Sequence, residues 1–266
     1  MDNDDKLFRW VFAWPLWRAR NENGAMFQNA QNSRKHDIEL SVYEINHHTT
    51  HGEGVLDERN RIVTSLGGGI NVANTMLVNL KEHGARTQTL FSLAQHSYNA
   101  RGIGAVRLWG TVLNMRAGHR RYRPTFLACR LANQVIAGDL VATEHSGADP
   151  AFEATGIFSR REGMTTTTDW PAILSYGFAD GSRRGLILVN LDTRENRPVS
   201  IRFDGRARDR TATGYLLWSE HIADNNEFET PEPKVKIRQT SIEKFTSGKQ
   251  LTLPRHSITG LVWHIE

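Results

Sequence analysis

Ile38-Glu39-Leu40-Ser41-Val42-Tyr43-Glu44-Ile45-Asn46-His47-His48-Thr49-Thr50-His51-Gly52 is the stretch whose reading decides the fold. Ile38, Leu40 and Val42 recur with period 2 and Tyr43 favours extended backbone, so a strand is expected up to about Glu44. The sequence then turns densely polar. In α/β proteins ligands meet the scaffold at the carboxyl ends of strands, because rigid strands present side chains from that rim into a shared crevice. Glu44, flanked by Tyr43, Asn46, His47 and His48, is therefore a candidate catalytic carboxylate. The alternative is an ordinary strand-end carboxylate satisfied by its neighbours.

Upstream, residues 7 to about 35 read as helix or loop with a heavy aromatic load, Phe8, Trp10, Phe12, Trp14 and Trp17. Packing against the rest of the fold explains that load more simply than a ligand-stacking platform. Downstream, a polar loop is expected first. Then Ile70, Ala73, Leu77 and Leu80 mark one helical face, closed by Gly84 at a C-cap. Thr87 to Leu93 reads as the next strand, followed by a long loop from Ala94 to Arg121 that holds Gln95, His96, Tyr98 and Trp109. A helix opened by Pro124 and closed by Gly138 carries Phe126, Leu127, Leu131 and Val135 on its apolar side. Helix, strand, helix, strand, helix is the alternation of a parallel α/β fold.

From about residue 150 the character changes. Short strands are expected at Ile173–Tyr176, Gly185–Asn190, Val199–Phe203, Gly214–Trp218, Leu251–Leu253 and Ile258–His264, with turns at Asp180-Gly181, Asp204-Gly205 and Ser247-Gly248. Regularly spaced short strands imply an antiparallel sandwich. The expected division is residues 1–148 as the α/β part and 149–266 as the sandwich.

The chain has 266 residues, 39% hydrophobic and 23% charged, enough for one large or two modest domains of ordinary soluble composition. Much of the formal charge of +4 sits in Arg116-Ala117-Gly118-His119-Arg120-Arg121-Tyr122-Arg123. Such a run reads as a solvated loop or helix start, and no aromatic-basic interleaving recurs to suggest nucleic acid. Cys129 is the single cysteine, which excludes an intrachain disulfide and a thiolate metal cage and leaves it a small core residue. Met1-Asp2-Asn3-Asp4-Asp5-Lys6 is acidic where a signal peptide is basic, and the apolar run from Leu7 to Trp17 is broken by Arg9 and Pro15. Neither a secretion signal nor a membrane span is read here, and localisation stays open.

Three passages together carry a family likeness: Tyr43-Glu44-Ile45-Asn46 at the strand end, Arg123-Pro124-Thr125-Phe126-Leu127 at a helix start, and Asp224-Asn225-Asn226-Glu227-Phe228-Glu229-Thr230-Pro231 in the second half. With them, and with Leu253-Pro254-Arg255-His256-Ser257-Ile258-Thr259 as a last strand, the chain resembles the C-terminal part of retaining glycoside hydrolases of the α-L-arabinofuranosidase type, family 51. The resemblance implies α/β plus all-β architecture: a partial (β/α) barrel, its last two strands and helices, followed by an antiparallel β-sandwich. It also implies that Glu44 ends the seventh barrel strand in the nucleophile position, with arabinofuranosyl or xylosyl saccharides of plant cell walls as the substrate class.

A full barrel takes about 250 residues, so the α/β part here holds only a piece of one. Retaining glycosidases need two carboxyl groups about 5–5.5 Å apart, and the family's acid/base is a Glu after an Asn at the fourth strand. Asn21-Glu22 lies too close to Glu44 in sequence, and Asn226-Glu227 falls in the sandwich. The acid/base is therefore expected from a partner, either a separate N-terminal barrel chain or a homo-oligomer, or from a residue of this chain that no motif marks. A non-catalytic module that binds carbohydrate or protein is the rival reading.

His47, His48 and His51 with Glu53 invite a metal reading, but the segment is not His-Glu-x-x-His and no third-ligand motif stands apart from it. Hydrogen-bonded loop histidines are the simpler account, and no metal or cofactor is expected. Gly67-Gly68-Gly69 lacks the Lys-Ser/Thr of a P-loop and the spacing of a dinucleotide fingerprint, so it is read as a flexible helix entry. Trp109 either stacks on a sugar ring or is buried.

Overall fold

Local chemistry accounts for most of the elements in a computed structural model that describes residues 3–50, 54–115, 120–159 and 163–266. Asp4 and Asp5 at one end and Arg18 and Arg20 at the other complement the dipole of helix α1 (Asn3–Arg20). Phe8, Val11, Phe12 and Leu16 repeat at helical spacing and are buried. Trp14 stacks on Trp17 at 5.4 Å and on Phe158 at 6.2 Å, so the aromatic load is packing. After α2 (Ala25–Lys35), Asp37 adopts φ 53°, and strand β1 (Ser41–Ile45) starts later than the alternation suggests. Ile38 is taken up by the turn leaving α2, where Ser33 Oγ donates to its carbonyl.

The polar stretch after β1 is not all loop, since it contains α3 (Leu56–Thr64), which buries Ile62 and Val63. Helix α4 (Leu66–His83) is capped by Ser65, whose hydroxyl accepts from Gly68 N at 3.1 Å, and closed by Gly84 at φ 71°. Gly67-Gly68-Gly69 is not a flexible entry either; all three lie inside α4 and are buried. A Cβ on Gly68 would stand 1.7 Å from the Ile62 carbonyl oxygen, and one on Gly69 2.5 Å from the Pro124 carbonyl carbon. The glycines let neighbouring backbone come close.

Strand β2 (Thr87–Leu90) pairs parallel with β1 alone, and the described residues form no closed barrel. The expected loop between Ala94 and Arg121 instead holds two small antiparallel pairs, β3 (Ser97–Ala100) with β4 (Gly104–Arg107) and β5 (Val112–Leu113) with β6 (Arg121–Tyr122). Residues 116–119 of the basic run lie outside the described residues. Helix α5 (Pro124–Val135) begins where Pro124 predicts.

The second half contributes β7 (Asp139–Val141), β8 (Ala151–Ser159), β9 (Gly163–Pro171), β10 (Ile173–Asp180), β11 (Arg183–Asn190), β12 (Arg197–Ile201), β13 (Ala212–Trp218), β14 (Lys236–Ile242), β15 (Lys249–Leu253) and β16 (Ser257–His264). Six of them form an antiparallel sheet in the order β14-β13-β16-β11-β10-β7. Strands β7, β8, β9 and β14 escaped the sequence reading; in β9 and β14, Thr165-Thr166-Thr167-Thr168 and Arg238-Gln239-Thr240-Ser241 show no apolar alternation.

Helices α1, α4 and α5 share one buried core with the sheet, including Ile70, Leu131, Ile187 and Leu217. Gly185 and Gly260 lie under α5, where a Cβ on Gly185 would meet the Val135 carbonyl oxygen at 2.4 Å. A second core, with Leu188, Phe245, Leu253, Leu261 and Trp263, joins the sheet to the β12–β15 pair. Among the described residues no helix is long and apolar enough to cross a membrane.

Candidate active site

Parallel pairing of β1 with β2 sets the geometry at the carboxyl end of β1. Val42 pairs with Gln88 and Ile45 with Leu90, so Tyr43 and Glu44 together oppose Thr89 alone. Two residues against one is a β-bulge, which bends a strand and re-aims its side chains, and bulges are enriched beside active sites. Thr89 Oγ1 holds the bulge by donating to the Tyr43 carbonyl. The Tyr43 side chain is 84% exposed. Glu44 is exposed as well, and its carboxylate takes no hydrogen bond or ion pair from the described residues.

Past the bulge the chain turns inward. Asn46 Nδ2 donates to the Phe91 carbonyl at 2.5 Å, tying the ends of both strands together, and Asn46 Oδ1 accepts from His47 N at 2.8 Å. His47 Nε2 donates to the Gly68 carbonyl at 3.0 Å, which leaves Nδ1 as the acceptor of the neutral ring. Burial lowers the pKa of His47, and the bond to Gly68 opposes it only in part. Trp109 Nε1 donates to the His47 carbonyl at 2.5 Å, and its ring lies 5.1 Å from that of Phe91.

Asn46, His47 and Trp109 are thus brought into one network with Phe91 and Gly68, while the side chains of Tyr43, Glu44 and His48 are exposed. The arrangement is a carboxylate on a bulged strand above a rigid polar base. It can present a nucleophile or an anionic acceptor to a ligand approaching from outside.

The resemblance passage near residue 227 has a different place. Arg123 is fully buried at the start of α5, and it grips Glu227 with Nε at 2.6 Å and one terminal nitrogen at 2.9 Å. It also donates to the Leu108 carbonyl and, at 3.3 Å, to that of His96. Solvation of the whole basic run, as the sequence suggests, is therefore wrong for Arg123. Asn226 Nδ2 adds bonds to the carbonyls of Tyr122 at 2.9 Å and Val235 at 2.8 Å. This passage braces α5 against the sheet.

Among the described residues no three His, Cys, Asp or Glu side chains gather as a metal site; His51 and Glu53 of the metal reading lie outside the described residues. Cys129 is partly buried on α5 beside Met76, and burial pushes its thiol up to about 12, far from a reactive thiolate. Sequence reading missed Gly68, Thr89 and Phe91. Only Gly68 left a signal, because each glycine in a helix costs about 1 kcal/mol and three in succession mark close packing.

No protein-family model matches the chain, and no curated protein matches it in sequence. Solved structures do match in fold. The α-L-arabinofuranosidase from Thermotoga maritima, in an arabinose complex, superposes with TM-score 0.72 at 16% identity, over 98% of this chain and 50% of that one. AbfB, a family 51 α-L-arabinofuranosidase from Bifidobacterium longum, gives 0.67 at 17% identity, over 99% and 50%. CelM2, a bifunctional glucanase-xylanase from a metagenome library, gives 0.51 at 13% identity, over 100% and 40%. The resemblance to family 51 arabinofuranosidases therefore holds in three dimensions. The chain spans about half the length of those structures, consistent with their C-terminal portion.

Proposed function

We propose that the protein is related to glycoside hydrolases of the retaining arabinofuranosidase type and that Glu44 is its nucleophile-position carboxylate. The observation that carries this reading is a carboxylate, unpaired among the described residues, in a bulge at the carboxyl end of a parallel strand, in a chain whose fold follows family 51 structures along nearly its whole length. Residues 1–148 are then the last two strands and helices of a (β/α) barrel, and residues 149–266 its β-sandwich. Glu44 would attack the anomeric carbon of an arabinofuranosyl or xylosyl unit, and a second carboxyl about 5–5.5 Å away would protonate the leaving oxygen. Tyr43, Asn46, His47, His48 and Trp109 would orient the carboxylate and the sugar.

The acid/base and the remaining strands come, in this reading, from a second polypeptide carrying the other βα units. Two features support such a partner. The outer edge of β2, unpaired among the described residues, opens on a groove of about 910 Å³ lined by Met76, Leu80, Leu90, Phe126 and Ile136. A monomer of 30.1 kDa exposes about 11,700 Å² by the usual scaling, whereas this chain exposes 14679 Å².

Incubation with an activated aryl arabinofuranoside should label Glu44 slowly, seen as a mass increase on its peptide, and Glu44→Gln should abolish the label with the fold intact. The chain alone should turn over natural arabinosides negligibly, because general acid assistance is worth about 10²- to 10⁴-fold. Labelling that survives Glu44→Gln removes Glu44 from the mechanism. Light scattering tests the partner: a well-folded, monodisperse monomer contradicts the need for a covering chain, and a stable dimer assigns the groove to a second copy.

A further inference from the structure

We propose that a second cavity, between α5 and the β13–β14 pair, binds an acidic saccharide, with a sugar carboxylate on its arginines and a ring face on its aromatic rim. Its volume is about 390 Å³, within the range of small-molecule sites. None of Tyr43, Glu44, Asn46, His47, His48 or Trp109 lines it, so it is separate from the site above.

Charge selects the ligand. Arg120, Arg121, Arg130 and Lys236 line the cavity, and among the described residues no aspartate or glutamate does. Lys236 is partly answered by Glu232 at 2.5 Å. Arg121 is anchored through one terminal nitrogen to the carbonyls of Asn226 at 3.2 Å and Glu227 at 2.9 Å, yet its buried Nε has no partner among the described residues. Gln134 Oε1 in the same wall is also buried and unpartnered. Arg120 and Arg130 are exposed and pair with no carboxylate among the described residues. Several guanidinium groups with donors to spare around one small cavity suit a carboxylate, which takes their N–H groups two at a time.

Shape and rim select the rest of the ligand. Phe228 stands at the edge of the cavity 75% exposed, and Tyr215 and Tyr122, the latter stacked on Phe126 at 4.5 Å, continue the aromatic lining. An exposed aromatic plane beside cations fits a ring with an apolar face and a charged substituent. The anion half of this inference stands on the lining alone, and the saccharide half rests on the carbohydrate reading of the fold.

The test is calorimetry and ligand-observed NMR on the full 266-residue chain. Tri-galacturonate should bind, and a neutral xylotriose should bind about tenfold more weakly or not at all, as expected for loss of charge-assisted hydrogen bonds. Arg130→Gln should weaken tri-galacturonate binding by about tenfold and Phe228→Ala by about fivefold, with unchanged thermal midpoints and unchanged labelling of Glu44. Equal binding of the neutral sugar, indifference to both substitutions, or no binding overturns the proposal. Complete displacement by inorganic phosphate at the same concentration also overturns it, because the cavity is then a general anion trap. Glu44 labelling can fail while this binding persists, so the two readings fall separately.

Discussion

The parallel pair β1–β2 and the six-stranded antiparallel sheet are both built from β-branched and aromatic residues, yet they end in opposite conditions. In the sheet, Ile187, Leu217 and Leu261 are wholly buried, and each face is covered by another part of the same chain. In the pair, one strand contacts one strand, neither outer edge pairs with another strand among the described residues, and Tyr43 at 84% and Leu93 at 57% exposure lie on or just beyond it. The difference follows from how each kind of sheet is closed. Antiparallel strands meet their sequence neighbours through tight turns such as Asp180-Gly181-Ser182-Arg183, so a short length of chain completes its own sheet. Parallel strands need a crossover for every addition and are stable when both faces are covered, which two strands cannot provide.

The largest effect is expected where the start of α5 is tied to the segment between β13 and β14. Arg123→Ala leaves the buried Glu227 carboxylate only its longer contact with Arg107 at 3.7 Å and should cost about 3–5 kcal/mol, read as a lower urea midpoint. A cost below about 1 kcal/mol would show that the junction is held by packing alone.

Next comes the contrast itself. Leu217→Ala in the sheet should cost about 2–5 kcal/mol, while Tyr43→Ala in the parallel pair should change stability by no more than about 0.5 kcal/mol in the isolated chain. The reverse order would mean that β1 is covered in solution. Amide hydrogen exchange gives a finer reading, because amides of β1 and β2 should exchange well before those of β11 and β16. The partner proposed above should protect the first pair and leave the second unchanged; equal protection in the isolated chain would erase the distinction.

Legibility followed the same divide. The helix capped by Gly84, the helix begun by Pro124 and the strands of the sheet's centre were readable, because each buries one regular face and Gly84 and Pro124 mark a helix end by their backbone preference, although the second helix stops at Val135, short of Gly138. Strands β9 and β14 were not, since they carry threonines and charges where alternation would have flagged them. At the candidate site the sequence pointed to Glu44 and its neighbours but not to the bulge. A bulge is a relation between two strands, and nothing in Tyr43-Glu44 alone encodes that Thr89 will face both residues. Arg123 was misread for the same reason: its partner, Glu227, lies 104 residues away.

The smallest effect expected is electrostatic and belongs to His47, whose ring links the end of β1 to α4. Burial holds its pKa below the ordinary 6.5, so as pH falls past that value the unfolded chain takes up a proton that the folded chain resists. Stability from this group is therefore full above about pH 6.5 and is lost on acidification, with a slope of at most about 1.4 kcal/mol per pH unit for one proton. His83 and His256 are lowered by burial too and add slopes of the same sign. His47→Gln can keep a donor to the Gly68 carbonyl while removing the titration. Urea unfolding at pH 5, 6, 7 and 8 should then show a shallower acid decline in the variant, with little change at pH 8. An unchanged slope would mean that His47 is solvated in both states, and that the end of β1 is as open as its edges.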